Sequence, residues 1–390
     1  MPDAGSDVAL NKRGLRVFPT AFRQKAPVCV DLFSGAGGFS LAALQAGFVV
    51  AAAVEINPHA CVTYHHNLVS PLEGKEAPRL IQGDILKSDV GTELQDAVRR
   101  TERSCDVVLG GPPCQGFSVH RIKGAGIDDP RNALLLRYFE LVEALSPKAF
   151  LMENVPGILW PRHQSWLRQF YERGEKAGYR VFAPEILDAR NYGVPQRRRR
   201  VFVLGIREDI HPNNLAWPPS PTHAAPDSKP EGVKAWKSAR AVFEKQFPAS
   251  DPNDIHMRHS EALQEVFRNT PLDGGNRHQS GRVLPCHLNH DGHMDVYGRI
   301  RLDEPGPTMT TACINPSKGR FVHPTEHHGI TVRQAARFQT FPDDFVFEGG
   351  LMAAGAQIGN AVPVRLGKVL LSHLAKMLNL QATPIEEDDA

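Results

Sequence analysis

Residues 27–55 read PVCVDLFSGAGGFSLAALQAGFVVAAAVE, and this segment indicates how the chain is built. A short apolar run leads through a glycine-rich turn into a stretch with helical spacing, which is followed by a second apolar run. Apolar runs of this length, bounded by turn residues, are typical of buried strands. A strand, a helix and a second strand in succession predict a parallel βαβ unit.

The same alternation continues along the chain. Apolar runs that predict further strands are RLIQGDI (79–85), CDVVLGG (105–111), KAFLMEN (148–154) and RRVFVLGI (199–206). Segments with helical spacing, such as NPHACVTYHHNL (57–68) and ALLLRYFELVEAL (133–145), lie between them. We therefore expect an α/β protein with a Rossmann-like, doubly wound, mostly parallel sheet.

The composition changes after about Arg207, where Pro, His, Gly and Asn become frequent and the periodicity weakens. Helical spacing returns at TVRQAARFQTF and in a long amphipathic segment near the C-terminus. The predicted parts are a flexible extension (1–26), a sheet domain (27–209), a smaller loop-rich domain (210–325), a C-terminal part that returns to the sheet (326–379) and a flexible tail (380–390).

The overall composition sets broad limits on the class of protein. The 390 residues are enough for two domains with separate cores. Six cysteines without CxxC spacing favour a reducing compartment over a disulfide framework. No apolar run approaches the roughly 18 residues of a membrane helix, and the N-terminus does not resemble a secretory signal. A net charge of +2 neither requires nor excludes a nucleic-acid partner.

The glycine-rich turn DLFSGAGGFS (31–40) is a candidate ligand site. Glycines in a turn that opens a helix let the backbone approach a nucleotide-like ligand closely. The spacing is not GxGxxG, so a dinucleotide site is not implied. Glu55 ends the second predicted strand and Asp84 ends the third, where acids commonly bind a ribose or an adenine amine. Plain turn glycines and solvated carboxylates are the alternative.

A second motif, GGPPCQGFS (110–118), directly follows a predicted strand. Pro112 and Pro113 restrict the backbone before Cys114, and the glycines around them leave room for a flat substrate. A thiol at the carboxyl edge of a sheet is a candidate nucleophile. A structural cysteine in a proline loop is the alternative.

MENVPGIL contains Glu153, at the end of the next predicted strand. Its carboxyl group would share the crevice with Cys114 and could pass a proton to a bound heterocycle. Capping of a helix by Asn154 is a competing use of this segment.

The run QRRRRVFVLGI brings four consecutive arginines into the last predicted strand. Strand alternation sends Arg198 and Arg200 to one face, and Arg197 and Arg199 to the other. Two of the four are therefore expected to point at a specific partner, although such runs are more often solvated or phosphate-facing.

These motifs, in this order, resemble the DNA cytosine-5 methyltransferase family of prokaryotic type. DLFSGAGGFS, VEINPHA, GDI, GGPPCQGFS, ENV and QRRRRVF match its motif series, and RQAARFQTFPDDF and QIGNAVPVRLG match its last two motifs. The resemblance extends from about residue 28 to 375, and the ordered set is far more specific than any single motif. It implies that the sheet domain is catalytic and that residues 210–325 form a target-recognition domain.

The resemblance implies roles for four catalytic residues. Cys114 would add to C6 of a flipped-out cytosine, which makes C5 nucleophilic enough to take a methyl group. Glu153 would hold a proton on N3. Arg198 and Arg200 would position the base and bind its O2 side. The base that removes the C5 proton is not identified by the sequence.

The resemblance also implies S-adenosyl-L-methionine as methyl donor, with S-adenosyl-L-homocysteine as product. Phe33 and Ile56 would enclose the adenine, and Glu55 would accept hydrogen bonds from the ribose hydroxyls. The implied cofactor residues are Asp31, Phe33, Gly35, Gly37, Glu55, Ile56, Asp84, Ile85, Leu134, Asn360 and Ala361.

Double-stranded DNA is the implied substrate, with residues 118–132 as a loop that closes over it. Candidate DNA contacts are Gln115, Ser118, His120, Arg121, Lys123, Arg197, Thr308, Thr310 and Thr311. CHLNHDGH (286–293) could be interpreted as a zinc cluster, but paired flanking ligands are missing, so we expect no metal there.

Three alternatives stay open. A tRNA-acting cytosine-5 methyltransferase would share the catalytic motifs, although GFS after Gln115 and the long insert favour DNA. A non-catalytic DNA-binding relative would not need all four catalytic residues, and a small-molecule methyltransferase leaves the insert without a purpose. We expect a monomer in the prokaryotic cytoplasm, bound to the nucleoid through its substrate and not to a membrane. The sequence leaves open whether a restriction endonuclease acts on the same site.

Overall fold

The computed structural model describes residues 9–10, 16–17, 25–72, 77–113, 133–247, 250–280 and 295–384. Cys114 lies outside these residues, as do the expected DNA-closing loop (118–132) and CHLNHDGH (286–293). Among the described residues, no helix is both long and apolar enough to cross a membrane.

The described elements alternate as the sequence predicts. The strands are β1 (Ala9–Leu10), β2 (Arg16–Val17), β3 (Val28–Leu32), β4 (Val49–Glu55), β5 (Arg79–Gln82), β6 (Val107–Gly110), β7 (Ala149–Asn154), β8 (Tyr179–Val181), β9 (Glu185–Asp188), β10 (Arg199–Arg207), β11 (His223–Ala224) and β12 (Lys234–Ala235). The α-helices are α1 (Gly38–Gln45), α2 (Pro58–Tyr64), α3 (Val90–Arg100), α4 (Ala133–Leu145), α5 (Gln164–Lys176), α6 (Arg240–Phe243), α7 (Glu261–Asn269), α8 (Val332–Phe338), α9 (Gly350–Asn360) and α10 (Val364–Met377).

The central sheet has eight strands in the order β5-β4-β3-β6-β7-β10-β8, with β9 also paired to β10. The five strands from β5 to β7 are parallel, whereas β10 runs antiparallel to both β7 and β8. From β3 the strands are added towards one edge of the sheet, and from β6 they are added towards the other edge. A ligand crevice is expected at such a switch point, between β3 and β6. The predicted doubly wound, mostly parallel sheet is confirmed.

An aromatic cluster anchors β7 and β10 to the helices beside them. Phe150 of β7 meets Phe139 of α4 and Phe170 of α5 edge-to-face, with ring centroids 5.7 Å apart in both cases. Tyr179 of β8 completes the cluster, and its hydroxyl donates to the carbonyl of Pro147 at 2.8 Å. Because edge-to-face pairs add to the energy of apolar burial, this part of the sheet is a rigid support for the residues at the ends of β7 and β10.

The chain forms two compact units. The first contains residues 1–187, 199–220 and 366–390, and the second contains residues 188–198 and 221–365. The structure thus differs from our expectation in the C-terminal part, of which only residues from 366 onward group with the sheet. Sequence periodicity identifies a helix such as α8 but does not reveal what the helix packs against.

Buried arginines join α8 to the loops of the second unit. Arg333 donates to both carboxylate oxygens of Asp251, at 2.6 and 3.0 Å, and to two carbonyls of residues 342–345. Arg337 donates to three backbone carbonyls of residues 242–246. A unit with few regular strands obtains much of its order from such bonds, because each guanidinium satisfies several loop carbonyls at once.

Replacing Asp251 with alanine is expected to lower the free energy of unfolding by about 3–5 kcal/mol, because it leaves the buried Arg333 cation without its anionic partner. The two side chains are 1% and 0% exposed. Urea unfolding followed by fluorescence measures the change. Asp303→Ala is the control, because its pair with Arg240 is 71% and 44% exposed and should contribute less than about 1 kcal/mol. Equal effects of the two substitutions would contradict the assignment.

Candidate active site

The carboxyl ends of the parallel strands lie side by side along one edge of the sheet. Glu55 pairs in register with Gln82, and Leu32 pairs with both Val54 and Gly110. The turns that follow are bonded to each other through the backbone, since the N–H of Gly111 donates to the carbonyl of Leu32 at 3.3 Å. The structure therefore brings the glycine turn, the end of β4 and the Gly-Gly-Pro-Pro segment to a single crevice.

The carboxylate of Glu55 holds the glycine turn against the end of β4. Its Oε2 accepts from the N–H of Gly35 at 2.8 Å, and its Oε1 accepts from the N–H of Asn57 at 2.7 Å. Gly35 has a φ of +56°, and no described atom lies within 4 Å of the position that a Cβ would take. Each Glu55 oxygen can accept one further bond, which suits a ribose diol above an open turn.

An apolar side chain flanks Glu55. Ile56 is 64% exposed, which is unusual for isoleucine and suits a side chain that a planar ring would cover. Phe33 and Leu134 are half-buried against the core. These positions agree with a nucleoside-binding crevice.

The β5 end differs in one respect from our expectation. Ile85 is only 4% exposed and belongs to the core, whereas its neighbour Leu86 is 49% exposed. The Leu86 N–H donates to Oδ1 of Asp84 at 3.0 Å, which makes a tight turn. Arg137 fixes this turn by donating to the carbonyls of Ile85 and Lys87, at 2.9 and 3.0 Å. Leu86 therefore carries the exposed apolar side chain at this strand end, and the contact of Ile85 with a cofactor stays a prediction. Motif reasoning missed both Leu86 and Arg137.

Asp31 also differs from our expectation of a direct cofactor contact. Its side chain is 1% exposed, and Oδ2 accepts from the Ser40 hydroxyl at 2.6 Å, inside the first unit. A carboxylate that lies in the core beneath the turn supports the turn and does not meet a ligand above it. Strand periodicity alone does not distinguish the two faces of a strand that is buried on both sides.

The pKa of Asp31 is raised to about 7, chiefly by burial; the hydrogen bonds from Ser40 lower the pKa, and the charge of Glu55 raises it. The pKa values of the facing Tyr64, Tyr138 and Cys29 are raised too, so these groups stay neutral near neutral pH.

The raised pKa of Asp31 predicts a pH-dependent stability. The native state binds this proton more tightly than the unfolded chain, so the contribution is present below about pH 4 and is lost as the pH rises through about 7. Between about pH 5 and about pH 8, wild-type unfolding free energy should fall by about 3 kcal/mol more than that of Asp31→Asn. Urea unfolding at both pH values tests this; parallel profiles would refute it.

Glu153 and Arg200 form an ion pair at the ends of the adjacent strands β7 and β10. Glu153 is 8% exposed, and its Oε1 lies 2.9 Å from Arg200 Nε. The orientation of the two groups is not that of a hydrogen bond, and no other described group donates to this buried oxygen. A buried carboxylate that is paired in charge but still able to accept a hydrogen bond is suited to bind an N–H of a substrate.

The Gly-Gly-Pro-Pro segment is tied to the same strand end. Asn154, which is 2% exposed, donates its side-chain N–H to the carbonyl of Pro112 at 3.1 Å. Asn154 does not cap the helical turn that follows it, so the helix-capping role that the sequence also suggested is not observed. Gly111 passes close to Glu153, since a Cβ there would lie 3.3 Å from Oε2. Cys114 follows Pro113 in sequence but lies outside the described residues.

The four described cysteines are buried and unlike nucleophiles. Burial raises the pKa of Cys61 to about 11 and Cys313 to about 12, and those of Cys29 and Cys105 are also raised. A thiol with such a pKa is protonated at neutral pH. In the described part of the chain no cysteine is therefore a candidate nucleophile.

Arg198 and Arg200 have different partners. Arg198 is 1% exposed, and within the second unit it donates to the carbonyls of Met309, Gly359 and Ala361 at 2.9–3.0 Å. The Arg198 guanidinium thus binds backbone carbonyls of its own unit, whereas Arg200 pairs with Glu153. We therefore correct its expected contact with the base to a positioning role.

The candidate DNA contacts in the second unit differ in their exposure and in their bonds within the protein. Thr310 and Thr311 are exposed, whereas the Thr308 hydroxyl donates to the carbonyl of Arg197. Arg197 lies 4.0 Å from Glu304 as an exposed ion pair. Asn360 is exposed at the end of α9 and Ala361 follows it, and their closure over the glycine turn stays a prediction.

The remaining candidate DNA contacts cannot be placed on the structure. Gln115, Ser118, His120, Arg121 and Lys123 lie outside the described residues. Among the residues that are described, no group of three or more His, Cys, Asp or Glu side chains could hold a metal ion.

Comparison with known proteins adds an independent line of support. The profile of the family described as C-5 cytosine-specific DNA methylase matches residues 28–376. The chain is 32% identical over 352 residues to the Type II methyltransferase M1.HphI of Haemophilus parahaemolyticus, covering 89% of this chain and 86% of that protein. It is 32% identical over 360 residues to the Type II methyltransferase M.Eco47II of Escherichia coli, covering 90% and 80%.

Among solved structures, the chain resembles a prophage-encoded DNA modification methyltransferase from E. coli, with a TM-score of 0.64 and 26% identity over 91% of this chain and all of that one. The family profile spans the glycine turn, the Glu153–Arg200 pair and the second unit together. The chain therefore belongs to the family of C-5 cytosine-specific DNA methylases and is a DNA cytosine-5 methyltransferase.

Proposed function

We propose that this protein methylates C5 of cytosine within a specific sequence of double-stranded DNA, with S-adenosyl-L-methionine as methyl donor. The observation that carries the proposal is the buried Glu153–Arg200 pair, with an unsatisfied carboxylate oxygen, beside the Gly-Gly-Pro-Pro segment that leads to Cys114.

The crevice at the ends of β3, β4 and β5 fits the methyl donor. Glu55 offers one free acceptor position on each oxygen for a ribose, the turn at Gly35 is open, and Ile56 and Leu86 expose apolar surface for the adenine. Bound there, S-adenosylmethionine would supply an electrophilic methyl group and leave as S-adenosylhomocysteine.

The base would be activated by Cys114 and Glu153. The Cys114 thiolate adds to C6 of the cytosine, and the electron pair of the C5–C6 double bond becomes available at C5 for the methyl group. Glu153 holds a proton at N3, which limits the negative charge that develops on the ring. Arg200 fixes the Glu153 carboxylate and lies on the O2 side of the base. Loss of the C5 proton to a base then expels Cys114 and restores the double bond.

The second unit would recognise the DNA. Thr310 and Thr311 are exposed beside the end of α9, and Arg198 holds both segments through backbone carbonyls. A cytosine can reach Glu153 only outside the duplex, and extrusion costs a few kcal/mol, which contacts from this unit and from residues 118–132 would offset. We further propose that the protein acts as a monomer in the prokaryotic cytoplasm. Its place would be a restriction–modification system, with an endonuclease that reads the same site without contacting it.

Methyl transfer to DNA is tested by incubating the purified protein with S-adenosylmethionine that carries a tritiated methyl group, and with either plasmid DNA or tRNA. We expect label in plasmid DNA only. Bisulfite sequencing of DNA from cells that express the protein then identifies both the modified base and the sequence around it. Label confined to tRNA would overturn the proposed substrate and favour an RNA cytosine-5 methyltransferase.

A further inference from the structure

Two buried hydroxyl groups of the first unit have no role in the proposed chemistry. Ser40 on α1 and Tyr64 at the end of α2 are both 0% exposed. The Tyr64 hydroxyl donates to Ser40 Oγ at 2.9 Å, and Ser40 Oγ donates to Asp31 Oδ2 at 2.6 Å. The three groups form a one-directional chain that ends on a carboxylate.

The lengths and the burial of these two hydrogen bonds indicate that both bonds are strong. The Ser40–Asp31 bond, at 2.6 Å, lies at the short end of the range for O–H···O hydrogen bonds. Because all three side chains are excluded from water, each hydroxyl that lost its partner would remain unsatisfied.

The hydrogen bonds between Tyr64, Ser40 and Asp31 connect helices α1 and α2, which both begin beside the crevice. Helix α1 follows the turn that contains Gly35, and α2 begins directly after Glu55 and Asn57. The Asn57 side chain caps α2 by accepting from the Ala60 N–H at 3.1 Å. The Tyr64–Ser40 bond therefore links the two helices that follow the partners of the Glu55–Gly35 hydrogen bond.

The ring of Tyr64 also supports the turn directly. Gly37, at the start of α1, has a φ of +94°, and a Cβ there would lie 2.9 Å from Tyr64 Cδ2 and 2.4 Å from Leu68 Cδ1. The turn thus rests on the Tyr64 ring from below, while the Tyr64 hydroxyl is held by Ser40.

We propose that Ser40 and Tyr64 are positioning residues for S-adenosylmethionine, which hold the Gly35 turn and the Glu55 carboxylate at the spacing that the nucleoside requires. The assignment rests on the proposed function of this crevice. A buried polar chain of this kind is a poor source of net stability compared with apolar packing, but it fixes a single geometry. Its loss should therefore affect cofactor affinity more than turnover.

The test measures the Kd of S-adenosylhomocysteine by isothermal titration calorimetry for wild type, Tyr64→Phe and Ser40→Ala. Each variant should bind about tenfold more weakly, the equivalent of one buried hydrogen bond. In steady-state assays with plasmid DNA, the KM for S-adenosylmethionine should rise by a similar factor, while kcat stays within about twofold, because no group that touches the base has changed.

Tyr179→Phe is the matched control. Tyr179 is also buried and its hydroxyl donates to a backbone carbonyl, but it belongs to the aromatic cluster of β7 and β10. Tyr179→Phe should lower Tm about as much as Tyr64→Phe does, and it should leave the Kd of S-adenosylhomocysteine unchanged. Unchanged Kd in Tyr64→Phe and Ser40→Ala, or equal weakening in all three variants, would overturn the positioning role. Absence of S-adenosylhomocysteine binding in the wild type would refute the proposed cofactor, and the positioning role, which rests on that cofactor, would be refuted with it.

Discussion

Replacing Cys114 with serine is expected to abolish methyl transfer to DNA while binding of S-adenosylhomocysteine is retained. A thiolate is available near neutral pH, whereas a serine hydroxyl needs a general base to become a nucleophile. The cofactor crevice is built from β3, β4, β5 and the turns that follow them, so the substitution does not alter it. Transfer of a tritiated methyl group and calorimetric binding measure the two properties separately.

The choice of Cys114 is strengthened by the other thiols. Cys29, Cys61, Cys105 and Cys313 are buried, and burial raises the pKa of each. Cys105→Ala is a suitable control, because this residue precedes β6 at the end of the strand that is remote from Glu153. The control should lose some stability and keep its methyl transfer. Full activity in Cys114→Ser would refute the nucleophile assignment.

The covalent step can be observed directly once the methylated site is known. A duplex with 5-fluorocytosine at the target position carries no C5 proton, so elimination of Cys114 after methylation is blocked. Wild type should then remain attached to the DNA on a denaturing gel, and Cys114→Ser should not. An adduct that persists in the serine variant would point to another nucleophile.

Much of the fold could be predicted because the chain obeys local rules. Six apolar runs between residues 27 and 206 form six strands of the sheet, β3 to β7 and β10, and residues 133–145 form the predicted helix. The division into units could not be predicted so well. The local pattern predicts a helix at residues 332–338, but the place of this helix in the second unit depends on contacts such as the pairing of Arg333 with Asp251, 82 residues away.

The candidate site was predictable at the level of strand ends but not of side-chain direction. Glu55 and Glu153 lie at the carboxyl edge, as their positions after strands predicted. Asp31, Ile85 and Arg198 point into buried surroundings instead. A motif gives residue types and spacing, whereas the side of the backbone that a residue occupies depends on packing partners distant in sequence.

The Glu153–Arg200 pair predicts a second large effect on catalysis. Glu153→Gln should lower kcat about a thousandfold, in the range for loss of a positioned acid–base group, with little change in the Kd of S-adenosylhomocysteine. Glutamine is nearly the same size, so packing against Gly111 is preserved, but it cannot hold a proton for N3. Single-turnover methylation of the mapped site measures the effect. Glu93→Gln, which removes a half-exposed pair with Arg79, is the control and should not alter turnover.

A double-mutant cycle separates the chemical role of Glu153 from its pairing with Arg200. The pair is buried, with side chains 10% and 14% exposed, so Glu153→Gln leaves an uncompensated cation that lowers stability as well as kcat. Adding Arg200→Met removes that cation, so the double variant should recover stability relative to Glu153→Gln while kcat stays low. Recovery of kcat together with stability would mean that Glu153 acts only by neutralising Arg200. The single variant Arg200→Met completes the cycle, because it loses the contact with the base but keeps the carboxyl group. A kcat that is clearly lower in Glu153→Gln and in the double variant than in Arg200→Met assigns the carboxyl group to the reacting base.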